Sequence, residues 1–335
     1  MTITVLGAGA WGTALAKVLH ERDHRVTLWG YNAAHLENLR RSRHNERYLP
    51  GIALPEFASC EPDLDRAAAD AEMIVMAVPS KAFREVATSL AAYQGIIVSV
   101  TKGIEFKTGL TMCGVLEECA PRARVAALSG PTLALEVGRG IPTAIVAASN
   151  HKEAALEVQN AFHQPRFRVY SSPDIKGVEL GGALKNVVAI AAGVGDGLGF
   201  GDNSKAALLT RAIVEIQRVG VARGARPETF SGLSGLGDLT VTCFSKLSRN
   251  RSFGEQLGRG SQVRELLSRS ISIVEGYPTA KSARQLSSQL GVDTPIIDEV
   301  HAVLYEGKNP GQAVADLTRR ETKAENDTGL LPRSS

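Results

Sequence analysis

Residues 2–20 read TITVLGAGAWGTALAKVLH, and this sequence carries the clearest signal of the fold. Its first five residues are an apolar, β-branched run, which predicts a buried strand. Its last ten residues have the apolar spacing of a helix. Gly7, Gly9 and Gly12 form a G-x-G-x-x-G pattern where the strand passes into the helix. Such a pattern in this context predicts a dinucleotide-binding turn, with a plain glycine-rich turn as the alternative.

Each of the three glycines has its own expected role. Gly7 permits a tight turn, Gly9 lets the backbone approach a pyrophosphate, and Gly12 lets the helix pack closely against the strand. The N-terminus of the helix offers backbone N–H groups and the positive end of the helix dipole to an anion. The turn therefore predicts a site for the phosphates of a dinucleotide cofactor.

Strand and helix patterns then alternate as far as about residue 170. RVTLW at 25–29 predicts a second strand, and helical patterns lie at 81–92 and 109–119. The further predicted strands are 72–78, 95–100, 124–128, 141–148 and 167–170. This alternation predicts a mostly parallel, doubly wound sheet.

After about residue 178 the sequence changes character. The segment 182–195 is strongly apolar, and 206–223 has helical periodicity. Further helical patterns cover 252–258, 261–269, 277–290, 295–306 and 310–319. We therefore predict an α/β chain with an N-terminal Rossmann-like doubly wound sheet in a dinucleotide-binding domain, residues 1–178. An all-α C-terminal domain for substrate binding and catalysis would follow, residues 179–335.

Composition and charge exclude several function classes. The 335 residues carry a formal net charge of only +3 and no long Lys/Arg block, so no nucleic-acid partner is expected. The four cysteines form no Cys-x-x-Cys pair and no zinc spacing, which predicts a reduced, cytoplasmic protein without a metal site. No signal-peptide pattern and no charge-free apolar window of about 18 residues is seen, so no membrane span is expected. These properties favour a small-molecule substrate.

The end of the second strand bears on the choice of cofactor. An NAD enzyme usually has a carboxylate there for the ribose 2′-OH, but the stretch reads Trp29-Gly30-Tyr31-Asn32. The absence of a carboxylate favours NADP over NAD, although no arginine stands at this corner either. Arg40, Arg41 and Arg43 follow downstream and belong either to a solvated face or to a cofactor phosphate.

Three loops at predicted strand ends are candidates for ligand contact, because ligands of open α/β sheets bind outside the carboxyl ends of the strands. These loops are 78–80, 101–103 and 129–132. Lys102 lies in the second of them. It could bind a substrate oxygen or phosphate as a point charge, or it could be a solvated loop lysine.

Lys185 and Asn186 interrupt the apolar helix pattern of 181–190. One interpretation is a lysine whose ammonium group reaches solvent along an aliphatic stem. The other is a lysine in a dry pocket, where the charged form is disfavoured and the group can serve as a general acid or base near neutral pH. Hydride transfer between a carbonyl and an alcohol requires one such group.

Two further polar segments follow in the second half. GLGDLTVT at 235–242 predicts a glycine-flanked acidic loop, and SRNR follows at 248–251. Asp238 could accept hydrogen bonds from substrate hydroxyls, orient a lysine, or cap a helix N-terminus. Arg249 offers a planar fork suited to phosphate, with an ordinary surface arginine as the alternative.

These residues together identify a family. The chain resembles the bacterial NAD(P)-dependent glycerol-3-phosphate dehydrogenases nearly from end to end. The segments that carry the resemblance are GAGAWGTALA at 7–16, YLPGIALP at 48–55, VPS at 78–80, TKGIE at 101–105, SGPTLALEV at 129–137, FRVYSSPD at 167–174, GVELGGALKNVVAIAAGVGDGLGFGDN at 177–203, GLGDLTVTC at 235–243, SRNR at 248–251 and VEGY at 274–277. Their order and spacing are far more specific than the glycine pattern alone.

The resemblance implies roles for individual residues. Lys185 looks like the catalytic proton donor and acceptor, and Lys102 like a residue that touches both nicotinamide and substrate. The other residues that match substrate contacts are Gly130, Thr132, Asn186, Asp238, Thr242, Ser248, Arg249 and Asn250. Those that match cofactor contacts, besides the three glycines, are Ala10, Trp11, Ala134, Arg249, Val274 and Glu275. Tyr31 stands where many relatives carry a basic residue or histidine, which leaves the NADP preference open.

The resemblance also implies an activity. It is the interconversion of sn-glycerol 3-phosphate and dihydroxyacetone phosphate with NAD(P), which supplies glycerol 3-phosphate for phospholipid synthesis. A homodimer is expected on the same grounds. Two alternatives stay open: another dehydrogenase of the β-hydroxyacid or ketopantoate type, and a non-catalytic dinucleotide-sensing protein. The segment at 248–251 favours a phosphorylated substrate over the first alternative.

Overall fold

The computed structural model describes residues 1–57, 59–269, 273–322 and 324–325. The last ten residues of the predicted C-terminal domain lie outside the described residues. The chain forms two compact units, which differ in architecture. Unit 1 comprises Met1–Lys102 and Leu110–Ile175, and unit 2 comprises Gly103–Gly109 and Lys176–Ser335.

The described residues of unit 1 form ten strands and seven helices. The strands are β1 (Thr2–Leu6), β2 (Arg25–Trp29), β3 (His44–Asn45), β4 (Leu49–Ala53), β5 (Ser59–Glu61), β6 (Met73–Met76), β7 (Ile96–Ser99), β8 (Arg124–Ser129), β9 (Thr143–Ala148) and β10 (Phe167–Ser172). The helices are α1 (Ala10–His20), α2 (Ala33–Ser42), α3 (Leu64–Ala68), α4 (Ser80–Thr88), α5 (Met112–Cys119), α6 (Ala134–Gly138) and α7 (Lys152–Phe162).

Eight of these strands form one sheet in the order β10-β9-β8-β7-β6-β1-β2-β5. All neighbours are parallel except β8 and β9, which are antiparallel. The strand order reverses at β1, whose last residue Leu6 is paired with Trp29 of β2 and with Met76 of β6. A switch point of this kind opens a crevice at the carboxyl ends of the strands. The predicted Rossmann-like sheet is thus confirmed, and the glycine pattern follows its switch-point strand.

Several elements of unit 1 were not predicted, because their sequences carry weak patterns. Helix α2 is largely polar and buries only Leu36 and Leu39. Strands β3, β4 and β5 have no unbroken apolar run, and β3 and β4 form a separate two-stranded hairpin. The short helices α3 and α6 have five residues each. Helix α7 is different: it was missed although its apolar residues have the spacing of an amphipathic helix.

Unit 2 is helical in its described residues from 176 onward. Its helices are α8 (Ile175–Gly197, which begins at the last residue of unit 1), α9 (Asp202–Ala222), α10 (Asp238–Phe244), α11 (Arg249–Gly258), α12 (Val263–Arg269), α13 (Gly276–Leu290), α14 (Pro295–Tyr305) and α15 (Pro310–Thr318). A 3₁₀ turn, Pro227–Ser231, and a π-helical turn, Leu233–Gly237, precede α10. The predicted loop around Asp238 is therefore wrong. The glycines at 235 and 237 are taken up by the π-helical turn, so the helix α10 begins at Asp238 itself.

The long helix α8 is the centre of unit 2. Among the described residues it is the one helix long and apolar enough to cross a membrane, and 94% of its apolar window is buried inside the fold. Helix α11 crosses it at glycines. A Cβ on Gly193 would lie 1.9 Å from the Arg251 carbonyl oxygen, and one on Gly254 would lie 2.0 Å from that of Ile190. The two helices thus touch backbone to backbone, which fixes the start of α11 relative to α8.

Candidate functional site

The glycine turn of unit 1, residues 7–12, is shaped by steric necessity at two positions. Gly7 has φ +128°, and a Cβ there would lie 2.6 Å from the Ala77 carbonyl oxygen. A Cβ on Gly12 would lie 1.9 Å from the Gly7 carbonyl oxygen. Neither position can accept a side chain without moving the backbone, because real contacts of a Cβ are longer.

Gly9 differs from these two glycines. A Cβ added to it would meet nothing within 4 Å. Gly9 is also the N-cap of α1, and no side chain caps the helix there. Ala10 and Trp11, the next two predicted contact residues, are half-buried in the first turn. The backbone donors of an 11-residue helix thus begin beside open space, which fits an anionic pyrophosphate.

The corner after β2 has no acidic side chain. Tyr31 is 86% exposed. Asn32 caps α2, where its side chain accepts a hydrogen bond from the His35 backbone N–H at 2.9 Å. Arg40 is paired with Glu37 at 2.9 Å, and Arg43 is paired with Glu56. These pairs on exposed side chains fit the solvated-face interpretation of the arginine cluster.

Three predicted residues of unit 1 converge on one carbonyl group. Lys102 Nζ and Thr132 Oγ1 each donate a hydrogen bond to the Gly130 carbonyl oxygen, both at 3.1 Å. Lys102 is half-buried, so it is not a freely solvated loop lysine. Ala134 begins the adjacent helix α6 and is half-buried as well. The loops after β7 and β8 thus place a cation and a hydroxyl group at neighbouring strand ends.

Unit 2 brings three predicted residues together in a buried cluster, which we call the lysine cluster: Lys185, Asp238 and Thr242. Lys185 Nζ donates to Asp238 Oδ1 at 2.7 Å and to Thr242 Oγ1 at 2.5 Å. Thr242 Oγ1 donates to the Asp238 backbone oxygen at 2.6 Å. Lys185 is 7% exposed and Asp238 1%. The interpretation of Lys185 as a lysine that reaches solvent is therefore wrong.

Helix α10 explains this geometry. Asp238 and Thr242 are four residues apart and lie on one face of the helix, where both face Lys185 on α8. The N-cap of α10 is Gly237, so the interpretation of Asp238 as the cap is wrong as well. Cys243 is also buried, and burial raises the pKa of its thiol to about 12. The ionisable chemistry of the cluster thus rests on the lysine and the carboxylate.

A second chain of hydrogen bonds passes through Asn250. Its Nδ2 donates to Asn186 Oδ1 at 2.9 Å, and its Oδ1 accepts from the Gly276 backbone N–H at 2.9 Å. Asn186 directly follows Lys185, and Gly276 directly follows the predicted cofactor contacts Val274, which is buried, and Glu275, which is half-buried. Asn250 thus connects helix α8 with the start of helix α13.

The segment 248–251 separates into exposed and buried side chains. Ser248 is buried and caps α11, where its hydroxyl oxygen accepts from the Arg251 backbone N–H at 3.2 Å. Arg249 is exposed. Arg251 is buried and bonds to Asp196 at 2.6 Å, which also pairs with Lys205 at 2.7 Å. Of the two arginines, Arg249 is the exposed one, although desolvation by the surrounding protein lowers the pKa of its guanidinium group and the Glu275 charge opposes this.

Sequence reasoning missed one buried residue at the glycine turn. Asn45 donates to the Ala8 carbonyl oxygen and to Thr13 Oγ1. It lies in the polar stretch RSRHNERYLP, 41–50, where an asparagine carries no pattern of its own. Only the fold brings it to the turn.

Comparisons with known proteins agree with this arrangement. Residues 2–155 match the family model described as NAD-dependent glycerol-3-phosphate dehydrogenase N-terminus, and residues 174–315 match the model of its C-terminus. A relative from Syntrophotalea carbinolica, named glycerol-3-phosphate dehydrogenase, NAD(P)+, is 49% identical over 98% of this chain and 100% of its own length. A relative of the same name from Chlorobium luteolum is also 49% identical, over 98% of this chain and 100% of its own.

A solved structure is similar as well. The crystal structure of glycerol-3-phosphate dehydrogenase from Coxiella burnetii is 38% identical, has a TM-score of 0.91, and matches 95% of this chain and 99% of its own. The two family models thus match both halves of the sequence, and the full-length relatives contain the two halves in the same order. The chain therefore belongs to the NAD-dependent glycerol-3-phosphate dehydrogenase family.

Proposed function

We propose that this chain is an oxidoreductase that interconverts sn-glycerol 3-phosphate and dihydroxyacetone phosphate by hydride transfer with NAD(P). The observation that carries this proposal is the lysine cluster, a buried lysine held at 2.7 Å by a buried aspartate, in a chain that full-length relatives of this activity match. A dinucleotide-sensing protein without turnover has no need of such a group.

We assign cofactor binding mainly to the domain 1–178. The glycine turn fits the NAD(P) pyrophosphate, because the open position at Gly9 and the uncapped start of α1 leave room for it next to backbone donors. When bound, NAD(P) supplies or accepts the hydride. The residues proposed to hold it are Gly7, Gly9, Ala10, Trp11, Gly12, Tyr31, Lys102 and Ala134, together with Arg249, Val274 and Glu275 from the second half of the chain.

We assign proton transfer to Lys185, in the domain 179–335. In reduction its ammonium group gives a proton to the oxygen that becomes the secondary alcohol, and in oxidation the neutral amine removes that proton. Asp238 and Thr242 hold the Nζ atom by two hydrogen bonds, so the amine is oriented before substrate arrives. A group fixed in this way loses little conformational freedom during the reaction.

The substrate phosphate is assigned to the start of α11. Arg249 supplies an exposed planar fork, which matches phosphate oxygens. Ser248 and Asn250 flank it, and the glycine crossing of α8 and α11 holds this segment relative to Lys185. Lys102, Gly130, Thr132 and Asn186 complete the proposed substrate contacts.

Further expectations rest on the resemblance. They are a homodimer, a cytoplasmic location and a role in supplying glycerol 3-phosphate for phospholipid synthesis. The four cysteines are free thiols, which supports a reducing compartment. NADP is favoured over NAD, since Asn32 is engaged as a helix cap and Tyr31 offers no carboxylate to a ribose 2′-OH.

The experiment that tests the function follows the absorbance of reduced nicotinamide. Purified protein is mixed with dihydroxyacetone phosphate and either NADH or NADPH, and ketopantoate serves as the competing substrate. We expect rapid oxidation with dihydroxyacetone phosphate only, faster with NADPH. Oxidation with ketopantoate alone would favour the ketopantoate-type alternative. Tight NAD(P)H binding without any oxidation would favour the sensing protein.

A further inference from the structure

The hairpin β3–β4 lies beside the glycine turn and is closed by backbone hydrogen bonds. The Leu54 N–H donates to the Arg43 carbonyl oxygen at 2.9 Å, and the Tyr48 N–H donates to that of Asn45 at 3.1 Å. Asn45 is 1% exposed. Its position is therefore set by the hairpin and not by solvent.

The Asn45 side chain reaches two parts of the nucleotide-binding motif. Its Nδ2 donates to the Ala8 carbonyl oxygen at 3.0 Å and to Thr13 Oγ1 at 2.8 Å. Ala8 lies between the first two glycines of the turn, and Thr13 lies on α1 and is fully buried. Both N–H groups of the Asn45 amide thus donate hydrogen bonds to the nucleotide-binding motif.

The orientation of the amide is determined by its surroundings. Asn45 Oδ1 is buried and has no hydrogen-bond partner within the described residues. Rotating the amide by 180° would place Oδ1 against the Ala8 carbonyl oxygen, so that two acceptors faced each other. The donor must therefore point toward Ala8, even though this leaves Oδ1 unsatisfied.

This contact has a consequence for the next residue. The peptide between Ala8 and Gly9 is trans, since the described chain has no cis peptide bond. A trans peptide is close to planar, so its C=O and N–H groups point in opposite directions. Because the Ala8 carbonyl is directed toward Asn45, the Gly9 N–H is directed away from it. Gly9 is the position of the turn that borders open space.

We propose that Asn45 is a positioning residue for the cofactor: it holds the Ala8–Gly9 peptide so that the Gly9 N–H is presented to the dinucleotide pyrophosphate. This inference rests on the proposed function, since it assumes that the glycine turn binds NAD(P). A donor is needed at this position, whereas an isosteric carboxylate would repel the Ala8 carbonyl and bring a negative charge close to the pyrophosphate.

The test compares Asn45→Ala and Asn45→Asp with the wild type. The Kd of NADPH is measured by the fluorescence of the reduced nicotinamide, and kcat and KM for dihydroxyacetone phosphate are measured at saturating NADPH. We expect Kd to rise about tenfold in Asn45→Ala and further in Asn45→Asp, while KM for dihydroxyacetone phosphate changes less than about twofold.

Thr4→Val is the matched control. Thr4 is equally buried in unit 1, and its Oγ1 donates to the Ala67 carbonyl oxygen at 2.6 Å, away from the turn. This variant loses one buried hydrogen bond and should leave Kd unchanged. If both Asn45 variants melt earlier than the wild type but bind NADPH as tightly as Thr4→Val does, Asn45 is only structural and the proposal is overturned.

Thr13→Val serves if the Asn45 variants do not fold. It keeps a β-branched side chain but removes the second acceptor of the Asn45 amide, and we expect Kd to rise about threefold; an unchanged Kd would overturn the proposal. Measurements of NADPH binding and turnover on the wild type distinguish a failure of this proposal from a failure of the proposed function. A wild type that binds NADPH but does not oxidise it with dihydroxyacetone phosphate contradicts the reaction, while the Asn45 comparison still stands on Kd.

Discussion

The glycine turn of unit 1 and the lysine cluster of unit 2 are built from different parts of the polypeptide. In the turn, the backbone supplies the donors, and Gly7 and Gly12 carry no side chain because a Cβ has no room at either position. In the cluster, the side chains supply the chemistry, and two helices bring together residues 53 and 57 positions apart. A backbone site depends on local conformation, whereas a side-chain site depends on the packing of distant segments.

The largest expected effect on turnover is that of Lys185→Ala. Without a proton donor and acceptor, kcat should fall about 10³-fold, which is the usual worth of general acid–base catalysis. The variant should also be less stable, because it leaves the Asp238 carboxylate buried without its partner. Turnover is followed by the absorbance of reduced nicotinamide, and stability by thermal unfolding.

Unit 2 offers a matched control for this prediction. Lys205 is paired with Asp196 at 2.7 Å, the same distance as in the Lys185–Asp238 pair, and its side chain is 10% exposed. Lys205→Ala should lose stability but keep kcat within a few-fold of the wild type. Equal losses of kcat in the two variants would mean that Lys185 acts through the fold and not through proton transfer.

The next largest effect should come from the glycine turn. Gly9→Ala adds a methyl group in open space, so the protein should fold normally, but the methyl group blocks the approach of the pyrophosphate. We expect the Kd of NADPH to rise about 10–100-fold with little change in the melting temperature. Titration by nicotinamide fluorescence checks the first point, and calorimetry checks the second.

Gly12→Ala should affect stability more than it affects the Kd of NADPH. Its Cβ would lie 1.9 Å from a carbonyl oxygen, so unfolding free energy should fall by about 3 kcal/mol or more. If Gly9→Ala proves as unstable as Gly12→Ala, the distinction between a ligand position and a packing position within the turn is wrong.

The difference between the glycine turn and the lysine cluster also explains why one site could be predicted from the sequence and the other could not. The glycine turn was predictable because a tight turn between a strand and a helix requires glycine at fixed positions. The strand, the glycines and the helix are also adjacent in the chain. The lysine cluster was not predictable from spacing. Lys185 was conspicuous in an apolar helix, but its partner Asp238 was assigned to a loop. Orienting a lysine was one of three open roles for Asp238, and the resemblance to a known family placed both residues among the substrate contacts.

Asn45 could be predicted neither from local spacing nor from the resemblance to a family. Its role depends on a hairpin of weak strands that no periodicity indicated. The crossing of α8 and α11 is similar, since Gly193 and Gly254 are 61 positions apart in the chain and their close contacts arise only where the two helices meet. Long-range packing of this kind leaves no local pattern in the sequence.

A smaller effect is expected for Arg249→Ala. Loss of charge-assisted hydrogen bonds to phosphate should raise KM for dihydroxyacetone phosphate about 10–100-fold. The control is Arg259→Ala at the other end of the same helix, where the side chain is 66% exposed and paired with Glu255. An unchanged KM in Arg249→Ala, or an equal rise in Arg259→Ala, would contradict the assignment of the phosphate to the start of α11.

The smallest effect on activity should be that of Glu215→Gln, although Glu215 is as buried as the lysine cluster. Its carboxylate accepts hydrogen bonds from the Ile296 and Ile297 backbone N–H groups, at 2.8 and 3.3 Å, at the start of α14. Burial nevertheless raises the pKa of Glu215 to about 8 from its usual 4.5. Burial without a ligand role should therefore leave kcat unchanged.

The pH dependence of stability should reveal Glu215 instead. Because the pKa is higher in the folded state than in the unfolded state, the folded protein holds the proton more tightly. The stabilisation is complete below about pH 4.5 and is lost as pH rises through about 8. Thermal unfolding between these values should show a steeper loss in the wild type than in Glu215→Gln. Parallel curves would mean that Glu215 is ionised throughout this range.

We claim that cofactor binding belongs to the glycine turn and proton transfer to the lysine cluster. An equilibrium titration of folded Lys185→Ala protein with NADPH tests this division of roles. We predict a Kd within about twofold of the wild-type value in a protein that no longer reduces dihydroxyacetone phosphate. Loss of NADPH binding together with turnover would contradict the claim, because Lys185 would then be part of the cofactor site.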